Sequence, residues 1–149
     1  MLAQRKTRYA LLAVLELARH YGQAPVAAHV IAEAQEIPAK FLEAIMNELS
    51  RAGIVASRRG SLGGYLLVAT PSRLSVASVI EAVQGPLDDM GCPSPLAGGR
   101  GTLGERAFMG MWGRVSRAVS DVLDSTTLRD VLDEEKRLAE ATPALTYAI

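Results

Sequence analysis

RAGIVASRRGSLGGYLL, residues 51–67, runs from the end of a helix through a double arginine and a glycine-dense turn into a second apolar run opened by Tyr65. Gly53 stands where a helix C′ glycine belongs. Residues 54–59 and 65–69 read as two strands around the turn, with Pro71 closing the second. Arg58 and Arg59 beside Gly60, Gly63 and Gly64 describe a basic hairpin held out from a domain, a shape suited to nucleic acid rather than to catalysis.

Upstream, residues 7–20 read as a helix, with Tyr9, Leu12, Ala13 and Leu17 at helical spacing. A break at 22–25 leads to a shorter helix over 27–35, where Val30, Ile31 and Ala34 are expected to pack. Ile37 and Pro38 make a tight joint, because proline is tolerated where a helix begins. The helix over 39–51 turns Leu42, Ile45, Met46 and Leu49 inward and presents Lys40, Glu43, Ala44 and Asn47 on the opposite face. Two helices joined by so short a turn have the proportions of a helix-turn-helix, and the hairpin after them makes it a winged one.

Downstream, residues 75–83 form a further expected helix, buried through Val76, Val79, Ile80 and Val83 and stopped by Gly85 and Pro86. Residues 88–101 are rich in glycine and proline. A helical pattern then resumes over 103–123 through Phe108, Met111, Trp112, Val115, Val119 and Val122. Such a helix is on the order of 30 Å long, more than the preceding core can cover. A homodimer burying this stripe against its own copy solves the problem and brings two DNA-reading heads into register. Leu128, Val131 and Leu132 suggest a short final helix, and 141–149 carries no clear pattern. The expected class is mainly α, divided into a winged helix-turn-helix DNA-binding domain (1–86), a sensor-like loop (87–102) and a dimerisation helix with a C-terminal tail (103–149).

Composition agrees with a globular protein: 149 residues, 49% hydrophobic and 21% charged. No apolar run approaches the roughly 20 residues needed to cross a bilayer, and a secretory signal is not evident, so a cytoplasmic location with no membrane partner is expected. Sixteen basic side chains balance sixteen acidic ones, but residues 1–73 hold nine basic against five acidic and the remainder seven against eleven. A positive first half suits a surface facing phosphates. The single cysteine, Cys92, rules out an intrachain disulfide.

Arg8-Tyr9-Ala10, Phe41-Leu42-Glu43, Leu49 with Ala52-Gly53-Ile54-Val55, the Arg59-Gly60 and Gly63-Gly64-Tyr65 wing, and Ile80-Glu81-Ala82-Val83 with Gly85-Pro86 together resemble the Rrf family of bacterial winged-helix regulators, with its IscR-like, NsrR-like and CymR-like branches. The likeness extends over roughly 1–132. It implies a dimeric DNA-binding transcriptional regulator, a repressor of iron–sulphur, redox or stress-related genes, whose long helix forms the dimer interface. Several members hold an iron–sulphur cluster in the loop before that helix through three cysteines. Here Cys92 falls on the first position, but Gly98 and Gly104 fall on the second and third, and a histidine used by one branch is replaced by Ala107. Three-thiolate ligation is therefore impossible. The alternatives left open are an inert Cys92 thiol, a cluster with atypical ligation by two Cys92 thiolates from a dimer with Asp88, Asp89 or Glu105 as supplementary metal donors, oxidation of Cys92 or an intersubunit disulfide through it, a small ligand, and a regulatory protein partner.

For DNA, Glu43 can accept from a cytosine N4 amine, and it matches a family glutamate. Ala44 replaces the family's usual glutamine; its methyl can touch thymine but cannot make the bidentate adenine contact. Lys40 and Asn47 face the same way, as phosphate or base contacts or as solvated side chains. Arg59 is the wing residue expected to enter a narrow minor groove, with Arg58 facing away toward a phosphate or the solvent and Ser61 on a phosphate. Arg5, Lys6 and Arg8 form a basic patch at the start of the first helix, read as a phosphate contact by at least one of them, Arg8 included, or as an ordinary solvated helix start. Tyr65 is expected to pack the wing onto the domain rather than stack on a base.

Two other functional classes compete with the regulator. A protein-interaction module retaining the fold would show no preferred DNA site. An enzyme would need a His/Cys/Asp arrangement, metal motif or phosphate loop; Gly63-Gly64 lies between two strands and makes no dinucleotide fingerprint.

Overall fold

Ala10, Ala13, Val14 and Leu17 follow one another at the spacing of a single helical face, and all four are buried in the computed structural model, which describes residues 4–87 and 101–142. They belong to α1 (Arg5–Arg19), the helix around which α2 (Ala28–Gln35), α3 (Ala39–Arg51) and α4 (Val76–Gln84) assemble. The same spacing recurs in α3, where Leu42, Ile45, Met46 and Leu49 close the other side of the core. In α2 only Ile31 is buried; Val30 and Ala34 face solvent, contrary to expectation. An eight-residue helix lying across α1 and α3 offers them a narrow line rather than a stripe.

The joint between α2 and α3 turns on Glu36, the one non-glycine residue with positive φ among those described (φ 52°, ψ 43°). Buried Ile37 donates to the Ala32 carbonyl at 2.9 Å, and Pro38 starts α3. The far end of α3 closes in a Schellman motif: Ile54 N–H reaches the Leu49 carbonyl at 3.0 Å, Gly53 N–H reaches Ser50 at 3.1 Å, and Gly53 takes the left-handed conformation (φ 75°). Ile54 and Leu49 are both buried, so the motif carries its hydrophobic contact.

β1 (Val55–Arg58) and β2 (Gly64–Leu67) pair antiparallel, Val55 opposite Leu67 and Arg58 opposite Gly64. Both strands are shorter than the sequence suggests. Pro71 opens a short 3₁₀ turn (Pro71–Arg73) instead of ending a strand. Ser75 caps α4 by accepting from Ser78 N–H at 3.1 Å, Gly85 ends it with φ 89°, and buried Thr7 of α1 donates to Gln84 at 2.8 Å.

α5 (Leu103–Ser125) begins with a capping box between Thr102 and Glu105 and buries none of its residues. Its 23 residues make a rod of about 35 Å. Its C-terminal end meets the head, where Leu123 packs on the small cluster of Ala77, Ile80 and Leu87. The chain then doubles back. Val76 N–H donates to Thr126 and Leu128 N–H to Leu74, each at 2.9 Å, and α6 (Leu128–Ala141) returns to α1, sinking Leu128 into the main core with Val131 and Leu132 packed on it. The final helix is thus longer than expected and lies against the head. Among the described residues no helix is long and apolar enough to cross a membrane.

Candidate nucleic-acid interface

The inward face of α3 is consumed by the core, so its outward face carries Lys40, Phe41, Glu43, Ala44 and Asn47, all exposed. This is the face the sequence assigns to DNA, with one addition. Phe41 is 51% exposed although aromatic, and its ring sits 6.2 Å from that of Tyr9 in α1. The periodicity of α3 excludes Phe41 from the core, which was the available signal.

α1 borders this face antiparallel to α3: Tyr9 meets Phe41 near the start of α3, and Lys6 pairs with Glu48 at 2.7 Å near its end. Of the basic patch, Lys6 is therefore engaged within the protein, whereas Arg5 and Arg8 stay exposed.

The wing is fastened to the first helix of the motif. Val26, just before α2, exchanges two backbone hydrogen bonds with Tyr65 of β2, at 2.9 and 2.8 Å, forming an isolated antiparallel bridge. The approach is so close that a Cβ on Gly64 would collide with the Val26 carbonyl. Tyr65 packs on the core, as its position in the sequence suggests. Arg58 ends β1 and Arg59 follows it, both exposed; Gly60 turns the chain with φ 111°, and Ser61 is exposed at the tip. Gly63 leaves no room for a side chain, because a Cβ there would strike the Arg58 carbonyl. Recognition-helix face and basic wing are thereby held on one scaffold by backbone bonds, an arrangement suited to a major groove and the groove beside it.

Farther from this surface lies a buried carboxylate the sequence does not reveal. Glu16, 5% exposed, accepts from Gln35 at 2.8 Å and from Arg19, whose guanidinium also binds Glu135 of α6. The hydrogen bond that Arg19 donates to Glu135, reinforced by the charge of both carboxylates, raises the Arg19 pKa above its ordinary value. His20 Nδ1 lies 2.9 Å from the Glu16 carbonyl, and His29 is exposed.

A two-helix motif with an exposed reading face and a basic β-wing places the chain in the class of winged helix-turn-helix DNA-binding regulators. The chain belongs to the Rrf2 family, described as iron-dependent transcriptional regulators, whose family model matches residues 3–134. It is 34% identical over 126 residues to the HTH-type transcriptional regulator CymR of Bacillus subtilis, covering 85% of this chain and 86% of that protein. It is 36% identical over 137 residues to the HTH-type transcriptional regulator IscR of Erwinia tasmaniensis, covering 91% and 81%. The solved structure of B. subtilis CymR, titled the global cysteine regulator, superposes with a TM-score of 0.76 at 32% identity over 88% of this chain and 95% of that one. T. potens IscR gives 0.76 at 29% identity, over 94% and 92%.

The donor set does not fit a three-thiolate cluster. Cys92 is the one cysteine in the sequence, and it lies outside the described residues, as do Asp88, Asp89 and Gly98. Gly104 sits in the first turn of α5 without any side-chain donor. Glu105, a candidate supplementary ligand, has its carboxylate on the Thr102 N–H at 2.6 Å as the helix cap.

Proposed function

We propose that this protein acts as a homodimer on a pseudo-palindromic stretch of double-stranded DNA in the bacterial cytoplasm, repressing genes of iron–sulphur, redox or stress metabolism. The observation that carries the reading is the joint presentation of the α3 face and the Arg58–Arg59 wing, held together through the Val26–Tyr65 bridge. Glu43, Ala44, Lys40 and Asn47 read or position the major groove, Arg59 enters the minor groove, and Arg58, Ser61 and Arg8 hold phosphates. Gly60, Gly63 and Gly64 shape the wing turn.

Dimerisation rests on α5. Phe108, Met111, Trp112, Val115, Val119 and Val122 share one face of a helix with no buried residue; Phe108 is 64% and Val122 62% exposed. A second copy covers such a stripe by the symmetry of its own sequence. On this reading residues 1–86 are the DNA-binding head, 103–149 supply the dimer helix, and the input acts through 87–102, where Cys92 is the only thiol.

The test is selection from a randomised duplex pool with the full-length protein, followed by binding across a salt series. Enrichment of a two-fold-related site with a steep salt dependence supports the proposal; enrichment of no sequence sinks it. Replacing Cys92 with Ser without effect on regulated DNA binding would remove the cysteine from the input.

A further inference from the structure

Leu62 is 87% exposed, at the apex of the wing. Its position there is set by backbone geometry. Gly63 N–H donates to the Gly60 carbonyl at 3.0 Å, closing a four-residue turn whose two central positions are Ser61 and Leu62. Neither central residue has positive φ, in keeping with a type I turn that ends on glycine. The strands below the turn are pinned to the domain by the Val26–Tyr65 bridge, so the tip projects from a fixed base with Arg58 and Arg59 exposed on its ascending side.

Leu62 stands between Ser61 and Gly63 at the tip, three residues after the Arg58–Arg59 pair, and at 87% exposure almost none of its side chain is covered by the wing. The combination matches the chemistry of a DNA minor groove. Its phosphates attract arginine, its walls are the apolar faces of deoxyribose, and apolar side chains wedge against its base steps. We propose that Leu62 is an apolar wedge that enters the minor groove beside Arg59 and selects A·T pairs there, because the N2 amine of guanine occupies the floor of the groove where the leucine methyls must lie. This rests on the DNA-binding reading above and adds a sequence-selecting residue to it.

The probe is a duplex enriched by the full-length wild-type protein from a randomised pool, with the wing step then varied among A·T, G·C and inosine·C. The inosine pair keeps the major-groove face of G·C but lacks the N2 amine. Wild type is expected to bind the A·T and inosine duplexes alike and the G·C duplex about tenfold more weakly, the scale of partly burying one leucine. Leu62→Ser is expected to lose about tenfold on the A·T duplex and to discriminate no longer. Its salt slope should match wild type, whereas Arg58→Ala, which removes a phosphate contact, reduces the magnitude of the slope by about 0.9. Leu62→Ser binding with wild-type strength and wild-type discrimination overturns the wedge while leaving DNA binding standing. Failure of the wild type to enrich any sequence overturns both, so the two failures are separable.

Discussion

Arg19, in the last turn of α1, donates from Nε to Glu135 of α6 at 2.8 Å while the same guanidinium holds Glu16, one helical turn back. The two carboxylates are unequal: the Glu16 side chain is nearly enclosed and Glu135 is substantially open to water. An exposed pair contributes about 0.5 kcal/mol, whereas removing the partner of an enclosed carboxylate costs several-fold more. Arg19→Ala is therefore expected to destabilise the protein by about 2 kcal/mol, because Gln35 remains on Glu16, and Glu135→Ala by less than about 1. Urea unfolding of both variants checks this. Equal losses would mean that the enclosed pair is not the dominant contact.

Glu36 occupies the left-handed region at the helix-turn-helix joint, where a side chain costs roughly 1 kcal/mol over glycine. Glycine is looser in the unfolded chain and returns part of that gain. Glu36→Gly is expected to raise stability by about 0.5 kcal/mol, seen as a higher urea midpoint at unchanged slope. A lower midpoint would show that Glu36 does more in the turn than tolerate its conformation.

Gly60 and Gly64 separate strain from collision. Both have positive φ, but Gly60 faces open space and Gly64 faces the Val26 carbonyl. Gly60→Ala is expected to cost about 1 kcal/mol and to preserve the wing, whereas Gly64→Ala costs at least about 2 and detaches it from α2. Amide exchange at Tyr65, bonded to Val26, reports the detachment directly. Protection there in Gly64→Ala equal to wild type would contradict the close approach.

The acid limb of stability has a named contributor in α6. The Asp130 carboxylate accepts the Thr127 backbone N–H, and that bond first, with the Thr127 hydroxyl second, lowers its pKa below the ordinary carboxylate value. A folded-state pKa below the unfolded one means that the proton binds the unfolded chain more readily. The contribution is then complete above the unfolded value of about 4 and disappears as pH falls through the lower folded value. Asp130→Asn should flatten the fall in melting temperature between about pH 5 and pH 2. Parallel curves for variant and wild type would remove Asp130 from this role.

Trp112 is the only tryptophan in the chain and lies in the apolar stripe of α5. In the proposed α5 dimer, dilution through the dissociation range should red-shift its emission as the ring meets water. Val115→Glu, three positions away on the same face, should shift wild-type dimer to monomer at micromolar concentration by light scattering, since two charges would face each other across a two-fold interface. A variant that stays dimeric places the interface elsewhere.

The sequence was most legible where one local rule operated alone. Four apolar residues at helical spacing and one C′ glycine gave α3 its observed limits, Ala39–Arg51. It was less so where tertiary contact intervened. Gly64 looks like a turn residue from its neighbours, but the approach of Val26 makes it the first residue of β2. Val30 looks like core from its hydrophobicity, but α2 turns only Ile31 inward. The Glu16, Arg19, Gln35 and Glu135 cluster was illegible, since Arg19 and Glu135 meet across 116 positions of sequence. On the proposed DNA-facing surface, residue type pointed to Arg59 and Glu43 and helical periodicity left Phe41 outside the core, whereas the exposure of Leu62 at the wing tip required the fold.

The joint at Thr126–Leu128 gives α5 the mechanics of a lever. It is clamped at one end by the backbone bonds to Val76 and Leu74, and none of its own residues is buried. Over about 35 Å, a tilt of about 5° at the clamp sweeps the free tip through about 3 Å, close to the spacing of one base pair. In the proposed dimer, joined along these rods, a tilt of that size at the two clamps would change the spacing of the two wings along the DNA.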